Sequence, residues 1–104
     1  MTNITFQSVH FELSRELEDF VNEKVAKLFE QDDSIIRADV ILREEASSNP
    51  KNKLCEIQLS VPGENHFIKK NSESFEKSVL TAIAGLQKIL RRKKTKKLIF
   101  RRKS

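Results

Sequence analysis

The sequence has few of the residues that disulfide scaffolds, metal sites and cofactor loops require. It contains one cysteine, Cys55, and two histidines, so it can form neither an internal disulfide nor a metal cage of standard spacing. Its two glycines, Gly63 and Gly85, cannot supply a glycine-rich phosphate loop, which needs several glycines close together. No segment approaches the roughly 20 uncharged apolar residues of a membrane span. We therefore predict a protein with no metal, no cofactor and no membrane contact.

The 104 residues correspond to one small domain. Seven Phe and a hydrophobic fraction of 38% allow a compact core of modest stability, and the 34% of charged residues must remain on its surface. The first residues lack the basic and apolar regions of a secretory signal. We expect a cytoplasmic protein with a single domain over residues 1–97 and a basic tail over 98–104.

The charged residues are distributed unevenly along the chain. Of the 20 Lys and Arg residues, ten lie in residues 88–104, which contain none of the 15 Asp and Glu residues. The remainder therefore holds ten cations against fifteen acids, so the net charge of +5 combines a body near −5 with a basic end near +10. This asymmetry is typical of a polyanion-binding end on an acidic domain. Nucleic acid and an anionic membrane are the two candidate partners.

Hydrophobic periodicity predicts six elements in the order βαβββα. Apolar residues alternate along the predicted strands and recur with a 3.6-residue period along the predicted helices. The strands are expected at 2–9, 36–42, 55–61 and, as a short strand, 66–70, and the helices at 14–30 and from about 74 through the basic end. Ser14 is the predicted N-cap of the first helix, and Ser72 or Ser74 that of the second. The polar segment 44–53 and the Pro62-Gly63 pair are the predicted hairpin connections.

These connections also predict the sheet. The helix between the first two strands favours a parallel pair with a right-handed crossover, and the short turns favour an antiparallel meander of the last three. The class is α+β: a four-stranded sheet with both helices on one face. Ile36, Ala38, Val40 and Leu42 are expected on the covered face of the second strand, and the opposite face of the sheet is expected to meet water.

No residue pattern predicts catalysis. Cys55 falls on the inward side of its strand, which favours a core thiol over a reactive one. His10 and His66 are isolated in strands or turns, where an ordinary polar role is the better interpretation. The acidic pairs 32–33 and 44–45 fall in predicted turns and are expected to be solvated. We predict no catalytic residue and no small-molecule substrate.

The basic end of the second helix is the candidate binding site. On a helical wheel its apolar stripe, centred near Leu86, is continued by Lys93 and Lys97. A cation on the apolar stripe predicts that the helix has left the sheet and projects with cations on every side. Such a rod suits a phosphate-lined cleft better than a flat bilayer, although a solvated tail is the alternative. The flanking cations are Lys88, Arg92 and Lys96 on one side and Arg91 and Lys94 on the other.

The first helix carries a second basic feature. Lys24 falls between Phe20 and Leu17 on the wheel, within an otherwise apolar arc. It is either a lysine whose stem covers the core while its ammonium reaches water, or, with Lys27, the edge of a groove beside the second helix. Both interpretations remain open from the sequence.

Together these features resemble the ribosome hibernation promoting factors, a family also called ribosome-associated inhibitors or sigma-modulation proteins. The resemblance covers nearly the whole chain, although no single motif is as specific as a set of metal ligands. It depends on the first helix at 17–28, the second strand at 38–45, and the last helix at 74–83 with its basic continuation at 86–97.

The resemblance implies a fold similar to double-stranded RNA-binding domains and a stress or stationary-phase protein, monomeric when free. It implies binding to the small ribosomal subunit and the whole ribosome through ribosomal RNA, in the channel of messenger and transfer RNA, so that translation is inhibited. The rRNA-binding residues it implies are Lys24, Lys27, Lys88, Arg91, Arg92, Lys93, Lys94 and Lys96.

The sequence also departs from the family pattern. Ala84 and Gly85 stand where many relatives have an acid and a base, so no contact is assigned there, and the tail at 98–104 is more basic and more apolar than usual. Without the C-terminal dimerisation domain of long members, the chain is expected to be a short form. A modulator of a sigma factor, acting through the acidic body, and a general double-stranded RNA binder are the alternatives.

Overall fold

The structure is a computed structural model that describes residues 3–46 and 48–102, the last ten of them as helix backbone without side chains. The four strands form one sheet in the order β1-β2-β3-β4. The predicted order βαβββα and the α+β class are confirmed. The elements are β1 (Ile4–Val9), α1 (Arg15–Gln31), β2 (Arg37–Glu44), β3 (Lys53–Val61), β4 (Glu64–Ser72) and α2 (Phe75–Arg102).

The strand pairing follows the predicted connections. β1 pairs with β2 in parallel, with Phe6 beside Val40, because the intervening α1 returns the chain to the same end of the sheet. β2, β3 and β4 pair antiparallel through short connections. Between β3 and β4 the chain turns at Pro62-Gly63, where Gly63 has a φ of +77°, a value that side chains disfavour and glycine adopts freely.

Capping side chains fix both ends of α1. At its start the Ser14 hydroxyl accepts a hydrogen bond from the Leu17 amide at 3.2 Å, as predicted. At its end the Asp32 amide donates to the Leu28 carbonyl at 3.1 Å. The Asp32 carboxylate accepts hydrogen bonds from the Ser34 amide and hydroxyl at 2.9 and 2.6 Å. The expectation that Asp32 is merely solvated is therefore wrong, since it organises the turn that leads into β2.

The core lies between the sheet and the two helices. Alternate residues of β2 and β3 face it, and Cys55, Ile57 and Leu59 are completely buried. The helices contribute one apolar stripe each: Leu17, Val21, Val25 and Leu28 from α1, and Val79, Ala82, Ile83, Leu86 and Leu90 from α2. The helices thus cover one face of the sheet, as expected.

Two sequence expectations about the sheet are wrong in detail. Ile36 does not continue the inward row, because β2 begins at Arg37, and the preceding Ile35 enters the core instead; Ile36 is 58% exposed and Ile35 7% exposed. β4 is not short, because it pairs with β3 along nine residues, from Glu64 to Ser72. Its polar residues hide this length, since β4 is an edge strand and most of its side chains are exposed.

Serine hydroxyls and a glycine hold α2 on the sheet. The Ser74 hydroxyl caps the helix by accepting from the Lys77 amide at 3.2 Å, and the buried Ser78 hydroxyl donates to the Lys53 carbonyl at 2.6 Å. Farther along, α2 passes so close to β4 that a Cβ on Gly85 would lie 2.3 Å from Cδ1 of Ile68. Glycine at this position lets the helix approach the strand closely.

α2 extends well beyond the body. Leu90 is the last residue of its buried stripe among the described side chains, and the helix backbone continues to Arg102. Twelve more residues add about 18 Å at 1.5 Å per residue. The radius of gyration is 15.1 Å, against about 13 Å for a compact chain of this length. The expected projection of the helix from the sheet is therefore present in the backbone.

The close approach at Gly85 predicts a coupling with Ile68. Gly85→Ala gains about 1 kcal/mol of helix propensity but places a methyl group against Cδ1 of Ile68. Ile68→Val removes that atom, so Gly85→Ala should be more favourable in the Ile68→Val background by roughly 1 kcal/mol or more. Denaturant unfolding of the four proteins of the double-mutant cycle measures this difference. Additive effects would contradict the close contact.

Candidate nucleic-acid interface

The two helices lie side by side, and one hydrogen bond identifies the flank of α1 that faces α2. The Gln31 side-chain amide donates to the Gln87 carbonyl at 2.9 Å. Lys27 and Lys24 precede Gln31 by four and seven residues, the spacing of one helix side. The structure therefore places both lysines on the α1 flank toward α2, which we call the basic flank.

The two lysines differ in their surroundings. Lys24 is half-buried, and its ammonium lies 5.5 Å from the centre of the Phe20 ring, close enough for a cation–π interaction. Its stem covers apolar surface while the charge stays at the edge, so the first interpretation of Lys24 describes its packing. Lys27 is exposed. Their location on the flank toward α2 also favours the second interpretation, in which they border a groove.

Three of the predicted cations of α2 are described and all are exposed. Lys88, Arg91 and Arg92 follow the last turns that pack on the sheet. Arg91 lies four residues after Gln87 and therefore continues the side of α2 that meets α1. Lys88 lies on the outer side of the helix, away from Leu86 and Leu90. The body thus carries cations on the facing flanks of both helices and on the outer side of α2.

The remaining predicted cations, Lys93, Lys94 and Lys96, have side chains outside the described part of the chain. Their backbone belongs to α2. The prediction that cations surround the projecting helix on every side therefore stays a prediction.

Lys77 is a further cation of this surface that the sequence interpretation missed. It is exposed and lies eleven residues before Lys88, which is close to three full helical turns, so both occupy the outer side of α2 about 16 Å apart. Glu76 is the last acidic residue of the sequence, so the segment free of acids begins at Lys77 rather than at Lys88. The spacing of 11 was the signal that could have identified it.

The sheet face opposite the helices offers no comparable positive surface. Arg37 lies 3.2 Å from the Asp39 carboxylate, and Lys69 lies 3.9 Å from that of Glu56. These pairs reduce the charge of the sheet face, while the helix side carries the cations described above. A polyanion is therefore attracted mainly to the helix side and to the end of α2.

The described residues assemble no catalytic centre. Cys55 is fully buried, and burial, with the neighbouring Glu56 carboxylate adding to it, raises the pKa of its thiol to about 12. His66 is nearly buried, and its Nδ1 lies 3.9 Å from Glu64. His10, with a φ of +68°, lines an open cleft with Glu44, whose carboxylate pairs with Lys53. In the part of the chain that the structure describes, no three acidic, histidine or cysteine side chains are arranged to hold a metal ion.

The same part of the chain contains no helix that is both long enough and apolar enough to cross a bilayer. α2 has the length, with 28 residues, but cations interrupt its apolar stripe.

The comparisons with known proteins decide the family. The sequence model described as sigma 54 modulation protein / S30EA ribosomal protein matches residues 4–98. The chain belongs to this family. No curated protein sequence matches it significantly. Members of the S30EA family are ribosome-associated modulators rather than known enzymes, and the resemblance stated from the sequence is confirmed.

Solved structures share the S30EA fold. The N-terminal domain of Thermus thermophilus Protein Y superposes with a TM-score of 0.74 at 24% identity, covering 88% of this chain and 98% of that one. A ribosomal subunit interface protein from Coxiella burnetii superposes with a TM-score of 0.80 at 18% identity, covering 90% and 99%. At these identities the likeness establishes the fold alone.

The buried thiol predicts how stability depends on alkaline pH. In the unfolded chain Cys55 ionises near its ordinary pKa of 9.0, whereas the folded chain holds the proton up to a pKa of about 12. The unfolded state thus binds fewer protons between these values, so the free energy of unfolding should fall as pH rises, by up to about 1.4 kcal/mol per pH unit. Urea unfolding at several pH values, compared with Cys55→Ala, isolates this contribution. Parallel curves for the two proteins would contradict it.

Proposed function

We propose that this S30EA family member is a ribosome hibernation factor. In this proposal it binds ribosomal RNA in the channel of the small subunit, excludes messenger and transfer RNA, and inhibits translation in the cytoplasm under stress or in stationary phase. The observation that carries the proposal is the location of the basic end: α2 leaves the sheet after Leu90 and continues for about 18 Å. This segment contains the densest positive charge of the sequence.

The shape and charge of the molecule suit such a target. A rod-like helix can enter a narrow channel that the four-stranded body is too wide to enter. Each phosphate that a cation neutralises releases counterions, so a helix with many cations gains affinity from a surface dense in phosphate. The basic flank of α1, with Lys24 and Lys27, adds contacts where the body meets the mouth of the channel. Lys77 and Lys88 supply others along the outer side of α2.

A flat anionic membrane fits the molecule less well. A helix that lies in a membrane surface needs a continuous apolar side beneath its cations. The apolar stripe of α2 up to Leu90 is used by the core, and Leu80 is the one large hydrophobic residue of α2 that is exposed among the described side chains.

Modulation of a sigma factor is the second candidate, since the family description names sigma 54. In that case the acidic body, with fifteen acids against ten cations over residues 1–87, would contact a protein partner. Sedimentation of cell lysate distinguishes the two functions. Co-migration of the chain with small subunits or whole ribosomes supports hibernation, whereas its recovery in a light protein fraction supports the modulator.

The basic end should dominate ribosome binding. Replacing Arg91, Arg92, Lys93 and Lys94 with Gln should weaken binding to purified small subunits by orders of magnitude, because each lost phosphate contact also lowers the slope of log affinity against log salt by about 0.7–0.9. The body should stay folded, since Arg91 and Arg92 are exposed.

A matched control separates site from net charge. Replacing two arginines and two lysines elsewhere, Arg15, Arg37, Lys51 and Lys70, with Gln changes the net charge equally, and all four side chains are exposed. This variant should retain most of the affinity and the salt slope. Equal loss in both variants would overturn the assignment of the site.

Binding should compete with messenger and transfer RNA. Two polyanion-linked ligands cannot occupy one phosphate-lined site, so messenger and initiator transfer RNA should raise the apparent dissociation constant of this protein in proportion to their own occupancy. Equilibrium binding on purified small subunits measures this. Simultaneous full occupancy by all three ligands would exclude the channel and favour a site on the ribosome surface.

A further inference from the structure

The outward side of α1 carries a row of acidic residues, which we call the acidic ridge: Glu16, Asp19, Glu23 and Glu30. Their spacings of three, four and seven residues place them on one side of the helix. All four side chains are exposed. The buried stripe of α1 occupies the opposite side, so the ridge is directed away from the sheet over a length of about 21 Å.

The ridge charges are not neutralised by their neighbours. Lys27 follows Glu23 by four residues and precedes Glu30 by three, spacings at which ion pairs form on helices. None of the salt bridges among the described side chains involves a ridge residue. The negative charge therefore acts outward, toward whatever approaches this side of α1.

The charge of α1 changes sign between two adjacent sides. The basic flank with Lys24 and Lys27 lies toward α2, as the Gln31 to Gln87 hydrogen bond fixes, while the ridge faces away from the core. Electrostatic effects decay over about 8 Å at physiological salt. A phosphate near the basic flank is thus attracted, and one that passes over the ridge is repelled.

We propose that the acidic ridge determines RNA specificity by repulsion. This inference depends on the proposed ribosomal RNA binding and explains how a chain with so basic an end avoids other RNA. A free duplex carries phosphates continuously along both strands, so a duplex that engages α2 and the basic flank also brings phosphates over the ridge. A target whose phosphates surround α2 but leave the ridge uncovered gains the attraction without the repulsion, and like charges brought together suppress the wrong partner.

The test removes ridge charge and measures two RNA targets. The ridge variant carries Glu16→Gln, Glu23→Gln and Glu30→Gln. A control variant carries Glu12→Gln, Glu45→Gln and Glu73→Gln, which are also exposed and raise the net charge equally. Dissociation constants are measured for purified small subunits and for a generic RNA duplex at the same salt concentration, and circular dichroism checks that each protein is folded.

The ridge variant should bind the duplex roughly tenfold or more tightly than the control variant does, while both variants bind small subunits equally. Equal duplex affinity in the two variants would overturn the inference. If removal of Glu16 from the first turn weakens the helix, Glu23→Gln with Glu30→Gln against Glu45→Gln with Glu73→Gln gives the same comparison. Failure of the wild-type chain to bind small subunits would instead refute the proposed function, whereas the duplex comparison judges the ridge alone.

Discussion

The point at which α2 leaves the sheet is the constraint on which the rest of the structure depends. Up to Leu90 the helix buries an apolar stripe against β3, β4 and α1, and Gly85 allows its close approach to Ile68. Beyond that residue the sequence supplies cations in place of apolar side chains. Because burying a charge without a partner costs several kcal/mol, the helix cannot remain on the core and must project. The packed half therefore fixes the direction in which the charged half points.

The arrangement of charge gives the molecule distinct sides. Ion pairs reduce the charge of the sheet face, the outward side of α1 is acidic, and cations occupy the facing flanks of the helices and the outer side of α2. A net charge of +5 alone would predict indiscriminate binding to polyanions. The distribution instead restricts attraction to one side and one end of the molecule, which suits a target with phosphates on a defined geometry.

The sequence predicted the fold well where one face of an element is buried. Alternation in β2 and β3, and the 3.6-residue stripes of the helices, directly reflect burial, and these elements were predicted correctly. β4 was predicted too short because an edge strand needs few apolar residues when its backbone pairs with a long neighbour. Ile36 was misplaced because alternation alone does not tell where a strand begins, and the residue that enters the core is Ile35. The basic end was accessible from composition alone, whereas Lys77 required the helical position and Asp32 the turn geometry.

The central claim is that the projecting half of α2 lies among ribosomal RNA phosphates in the small-subunit channel. Cryo-electron microscopy of the full chain bound to purified small subunits tests this most directly. The account predicts density for α2 inside the channel, with residues 91–97 next to RNA backbone and the open sheet face directed away from it. Density for the chain on the outside of the subunit, with α2 in solvent and the acidic body against a protein, would contradict the account.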